Sequence, residues 1–160
     1  MLNTSRSFIG DVSSASASAT AATTAATLLL GATRDASPWA PLNAVSHILW
    51  GDEAALHTEP SAAYTATGAA LNGGAMVMWA TAHASLRRLL PPGPAASIVA
   101  GATVAAAAYV TDYYVVPKRL TPGFEKRLSG RSMFWIYAAL AAGLAASSIS
   151  RSGSTRAPHR

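Results

Sequence analysis

The chain has 160 residues, 51% of them apolar and only 12% charged, with four histidines and no cysteine. That length holds one domain, and the lack of cysteine excludes disulfides and thiolate metal sites. The net charge of +5 comes from arginines in loops and ends, and without a basic face carrying interleaved aromatics it excludes a nucleic-acid partner.

The apolar residues fall in long blocks instead of the three-or-four spacing of a surface helix. This predicts an all-α integral membrane bundle of four transmembrane helices whose partner is the lipid bilayer. Residues 1–7 are a polar end containing Arg6. The first expected span, 8–33, is uncharged except for Asp11 and is built from Ala, Ser and Thr, with Leu28, Leu29 and Leu30 as its one strongly apolar cluster. A helix would align Ser16, Thr20, Thr23 and Thr27 on one face, where their hydroxyls can bond to backbone or to a neighbouring helix. A cleaved secretory signal with Arg6 as its basic end is the competing reading. Against it, the leucines come late, and Leu30-Gly31-Ala32 lacks the small residue expected two positions before a cleavage residue.

Residues 34–61 form the first loop, which contains PWAPLNAVSHILWG at positions 38–51. Residues 42–50 are long enough for a short interfacial helix after the first span. It would be closed by Gly51, with Leu42, Val45 and Leu49 on one face and Trp39 and Trp50 at its ends, an arrangement suited to the headgroup layer. His47 has two readings: a ligand or proton carrier facing the bundle, or a ring packed or solvated at the interface. His57, in the polar piece His57-Thr58-Glu59-Pro60, reads as solvated.

In the second expected span, 62–86, Gly68, Asn72, Met76, Trp79 and His83 recur at helical spacing and so share a side. Asn72 and His83 are either parts of a substrate or proton path or, respectively, interhelical glue and an interfacial group beside Arg87 and Arg88. Gly73 and Gly74 allow a close approach or a bend. The turn Pro91-Pro92-Gly93-Pro94 leads into the third span, 94–116, where Gly101, Ala105, Ala108 and Asp112 share a face. Asp112 reads as a proton-handling carboxylate or as an ion-pair partner of Lys118 or Arg119 that anchors its hairpin. The fourth span, 132–149, opens with Phe134, Trp135 and Tyr137 and continues through Ala138, Ala141, Ala142 and Ala145. Residues 1–150 are thus one transmembrane domain, and 151–160 read as a disordered tail.

No HExxH, GxSxG or phosphate-binding glycine loop occurs, and the histidines at 47, 57, 83 and 159 lie in separate segments. No catalytic, cofactor-binding or metal residue follows, and the expectation is a non-enzyme without cofactor. A haem held by His47 and His83 would require the fold to bring them together. The candidate interior polar residues are His47, Asn72, His83 and Asp112.

The motifs PWAPLNAVSHILWG (38–51) and DYYVVPKRLTPGFE (112–125) are similar to segments of small uncharacterised bacterial multi-pass inner-membrane proteins. The resemblance covers residues 30 to 145; it implies location and fold and transfers no functional residue. The expected role is structural or accessory, with partners among other membrane proteins or a second copy of the chain. The alternative is a small transporter or channel in which Asn72, His83 and Asp112 line one path; convergence of the three on a continuous cavity is what separates the two readings. Orientation is open, because six basic residues (Arg6, Arg87, Arg88, Arg151, Arg156, Arg160) fall on one side and six (Arg34, Lys118, Arg119, Lys126, Arg127, Arg131) on the other.

Overall fold

A computed structural model describes residues 7–35 and 37–154. Among them the chain is all-helical, with no strand. Four long helices, α1 (Phe8–Arg34), α4 (Thr67–Leu89), α5 (Pro94–Val110) and α6 (Gly130–Ser154), make the bundle, and two short ones, α2 (Ala40–Val45) and α3 (His47–Trp50), lie between α1 and α4. A π-helical turn, Ala62–Ala66, leads into α4, and another, Thr111–Val115, extends α5. Ser7 caps α1, its hydroxyl accepting from the Gly10 amide at 3.5 Å.

Each helix packs beside the next long helix in sequence, and α6 returns beside α1, so the four form an up-and-down bundle. Its centre is shared by Ala15 and Ala19 of α1, Met76 and Ala80 of α4, Val104 and Ala108 of α5, and Leu140 and Leu144 of α6. The buried stripe of α1 is Ala15, Ala19, Thr23, Thr27 and Gly31. The expected hydroxyl face is therefore half right: Thr23 and Thr27 are inside, while Ser16 and Thr20 sit at its edge. In α4, Gly68, Asn72, Met76 and His83 are buried as the spacing predicts, with Trp79 half-buried.

Two segments, Pro94–Val115 and Gly130–Ile149, are long and apolar enough to cross a membrane. The Ala-, Ser-, Thr- and Gly-rich α1 and α4 are not among them. Two boundaries differ from expectation. The last helix runs on through Ser154, into residues read from sequence as disordered tail, while 155–160 lie outside the described residues, as does the polar end before Ser7. The segment 42–50 is two helices broken at Ser46, whose hydroxyl donates to the Asn43 carbonyl at 2.7 Å. It does not lie on a surface by one face: every residue from Ala40 to His47 is buried, and only Leu49 and Trp50 are exposed.

That burial follows from docking. Residues 37–61 and 116–130 fold onto one another as a cap over one end of the bundle. Val45 packs with Phe124, Leu128, Met133 and Ile136 in a second apolar cluster. Gly68 lets α2 touch α4, since a Cβ there would land on the Leu42 carbonyl oxygen. Gly73 and Gly74, the expected close-approach pair, face open space.

Candidate functional site

The cap is built from polar groups that satisfy one another. Asn43 is 0% exposed; its amide donates to the carbonyls of His57 at 2.9 Å and Glu59 at 3.0 Å, and its Oδ1 accepts from the Thr65 hydroxyl. Arg127 forms a two-pronged pair with Asp35, Nε to Oδ2 at 2.7 Å and Nη2 to Oδ1 at 2.8 Å, and its Nη1 donates to Ala55 O at 3.3 Å. Arg119 donates to the carbonyls of Ile48 and Leu49 at 2.9 and 3.2 Å, tying the second loop motif to the end of the first. The exposed Asp52 meets Lys126 at 2.9 Å, and this ammonium holds the Asp52 carboxyl below the usual carboxylate range.

His47 lies inside this cap, 1% exposed, with Nδ1 donating to Ala44 O at 3.0 Å and Nε2 3.5 Å from Lys118 O. It is a packed ring and does not face the bundle interior. Its edge is covered by Gly123, which has φ of 86° and whose Cβ, were there one, would stand 2.7 Å from Nδ1 and 2.6 Å from Ala44 O. His57 stacks on Tyr64, ring centroids 3.8 Å apart, at the exposed surface.

Beneath the cap, Asn72 and Asp112 face the same space. They line a small cavity of about 40 Å³ with Thr23, Trp79, Phe124 and Tyr137, room for no more than a few water molecules. Asn72 donates to the Thr23 hydroxyl at 3.3 Å, which in turn donates to Ala19 O at 2.9 Å, so the amide does act as glue between α4 and α1. Asp112 accepts from the Tyr137 hydroxyl at 2.7 Å. The expected ion pair of Asp112 with Lys118 or Arg119 does not form, because Arg119 is turned to the Ile48 and Leu49 carbonyls. Nearby, the Tyr113 hydroxyl donates to Glu125 Oε2 at 3.2 Å, and Thr121 Oγ1 lies 2.7 Å from Glu125 Oε1.

His83 belongs elsewhere. It is 1% exposed and lines a separate cavity of about 340 Å³ at the opposite end of the bundle, with Asp11, Arg87, Arg88 and Ser147. The three candidates therefore do not converge: Asn72 and Asp112 share one cavity and His83 another. His47 and His83 are at opposite ends, which removes the haem pairing. Among the described residues no three His, Asp or Glu side chains are grouped to hold a metal.

Sequence reasoning missed Asn43 and Tyr137. Asn43 stands in an apolar run with an isolated amide, a signal of a buried hydrogen-bonding hub. Tyr137 was legible only as one of three aromatics opening the last helix, since which of these faces inward depends on packing. Compared with known proteins, the chain matches no family model, no curated protein and no solved structure.

Proposed function

We propose that the chain is an integral membrane protein that crosses the bilayer four times and serves a structural or accessory, non-enzymatic role. The observation that carries the membrane reading is the inverted distribution of side chains. The interior of the four long helices is largely Ala, Gly, Ser and Thr, with Asn72, His83 and the larger Met76, Val104, Met133, Ile136, Leu140 and Leu144 also buried, whereas Leu29, Val77, Met78, Ile98, Val99, Val110, Phe134, Trp135 and Ile149 point outward. Water would drive the large side chains in; hydrocarbon allows them out and favours close backbone approach through small residues. In support of the structural role, the polar groups in and beneath the cap are engaged within the chain: Asn43, Asn72, His47, Asp112 and Arg127 each have an intramolecular partner. The bacterial inner membrane as location rests on the two loop motifs.

A transporter reading draws on the shared cavity of Asn72 and Asp112 and is opposed by the separate place of His83. Membrane topology is the deciding test. The chain lacks cysteine, so His57→Cys and Pro92→Cys give single thiols for an impermeant maleimide applied to intact cells and to inverted vesicles. Four spans predict labelling of the two positions from opposite sides. Labelling from the same side would show that α4 does not cross and would rule out four spans.

A further inference from the structure

We propose that the cavity at the end of the bundle away from the cap seats the phosphodiester of an anionic phospholipid, an inference that rests on the membrane reading above. Two of its lining residues carry buried polar atoms without a hydrogen-bond partner among the described residues, His83 Nε2 and Arg87 Nε. Buried polar atoms are nearly always paired; His83 is also bonded to the Ser97 backbone, which leaves its Nε2 an acceptor in the neutral ring, so Arg87 Nε is the donor that an anion meets. Arg87 is oriented by its Nη1, which donates to Pro91 O at 3.2 Å. Ser147 contributes nothing further, since its hydroxyl is bonded to Leu144 O at 2.7 Å.

The volume, about 340 Å³, exceeds what a few waters fill and accommodates a headgroup phosphate. The charge selects among anions. Arg87 and Arg88 oppose Asp11 on the same walls, two cations less one anion, a balance that a singly charged diester neutralises. The position is also right: the site lies where α4 ends and the turn Leu90–Gly93 begins, the level at which headgroups meet a bundle and basic pockets between helices take acidic lipids. A second basic cavity, about 700 Å³ beside Arg34 and Arg131 at the cap end, has no buried orphan among its lining residues and provides an internal control.

The test is native mass spectrometry of the full chain released from detergent, titrated with phosphatidylglycerol, diacylglycerol or inorganic phosphate. Phosphatidylglycerol should be retained about tenfold more tightly than diacylglycerol, which lacks the phosphodiester, the scale of one charge-assisted hydrogen bond. Arg87→Gln should abolish that preference and Arg34→Gln should keep it. Equal retention of the two lipids by the unaltered chain overturns the proposal, leaving a cavity that holds water. Equal loss in both variants overturns it in favour of diffuse surface charge, and displacement of lipid by millimolar inorganic phosphate makes it a free-anion site. Flotation with liposomes keeps the two readings apart: a chain that does not float refutes membrane insertion, whereas one that floats without lipid preference refutes the site alone.

Discussion

The two ends of the bundle solve the same problem in opposite ways. At one end, long connections with many hydrogen-bonding side chains fold into a cap in which Asn43, Arg119 and Arg127 satisfy carbonyls that have no helical partner. At the other, α4 and α5 are joined by the turn Leu90–Gly93, too short to cover anything, and among the described residues one atom each of His83 and Arg87 has no partner beside a cavity. The difference teaches where to look for each kind of role. A polar layer that completes its own bonds stabilises and specifies; one left incomplete has capacity to bind.

The sharpest way to break this contrast is to prevent the cap from closing. Gly123→Val puts a branched side chain at a φ of 86° and against Ala44 O and His47 Nδ1, combining backbone strain with overpacking. We expect a loss on the order of 4 kcal/mol or failure to fold, whereas Gly74→Ala, facing open space, should not lower the thermal midpoint in detergent. If Gly123→Val melts like the unaltered chain, the docking of the two loop motifs is wrong.

Next in size is the Arg127–Asp35 pair, half-buried and two-pronged. Arg127→Met removes both prongs of the pair and should cost about 2–3 kcal/mol. Combined with Asp35→Asn, it should cost less than the sum of the two single changes. Additive losses in unfolding measurements would mean that the ion pair does not hold the cap.

Smaller again is the link below the cap. Tyr137→Phe removes the donor that Asp112 uses and should cost about 1–2 kcal/mol. Asp112→Asn, which retains hydrogen-bonding capacity, should cost about 1 kcal/mol or less. Flux in reconstituted vesicles supplies the decisive readout: if Asp112→Asn leaves the folded yield unchanged yet abolishes a proton-coupled flux, the structural role gives way to transport.

The smallest effect belongs to the exposed Asp52–Lys126 contact. The Lys126 hydrogen bond and charge hold its folded carboxyl below the usual carboxylate range. Its contribution is therefore present above the unfolded value and is lost as pH falls through the folded one. Solvent screening keeps it slight. Asp52→Asn should leave the thermal midpoint at pH 7 within error and slightly flatten its decline at acid pH; a large shift at pH 7 would show that this rim contact, and not the buried pairs, secures the cap.

Sequence by itself determined where the four long helices lie, because local propensity does not depend on what lies across the bundle. The stripe Gly68, Asn72, Met76 and His83, the Gly101–Ala105–Ala108 face and the closure at Gly51 were all legible from spacing. Partners were not. Lys118 and Arg119 follow Asp112 closely in the chain, so sequence suggests that they pair; the fold turns Arg119 to carbonyls 70 and 71 residues away and gives Asp112 a tyrosine from α6. Only the tertiary structure could bring together residues 38–51 and 112–125, bury His47 between them, and place His83 at the far end. Helix spacing fixes which residues share a face, but a polar side chain's partner depends on which faces meet, and that depends on the packing of the whole chain.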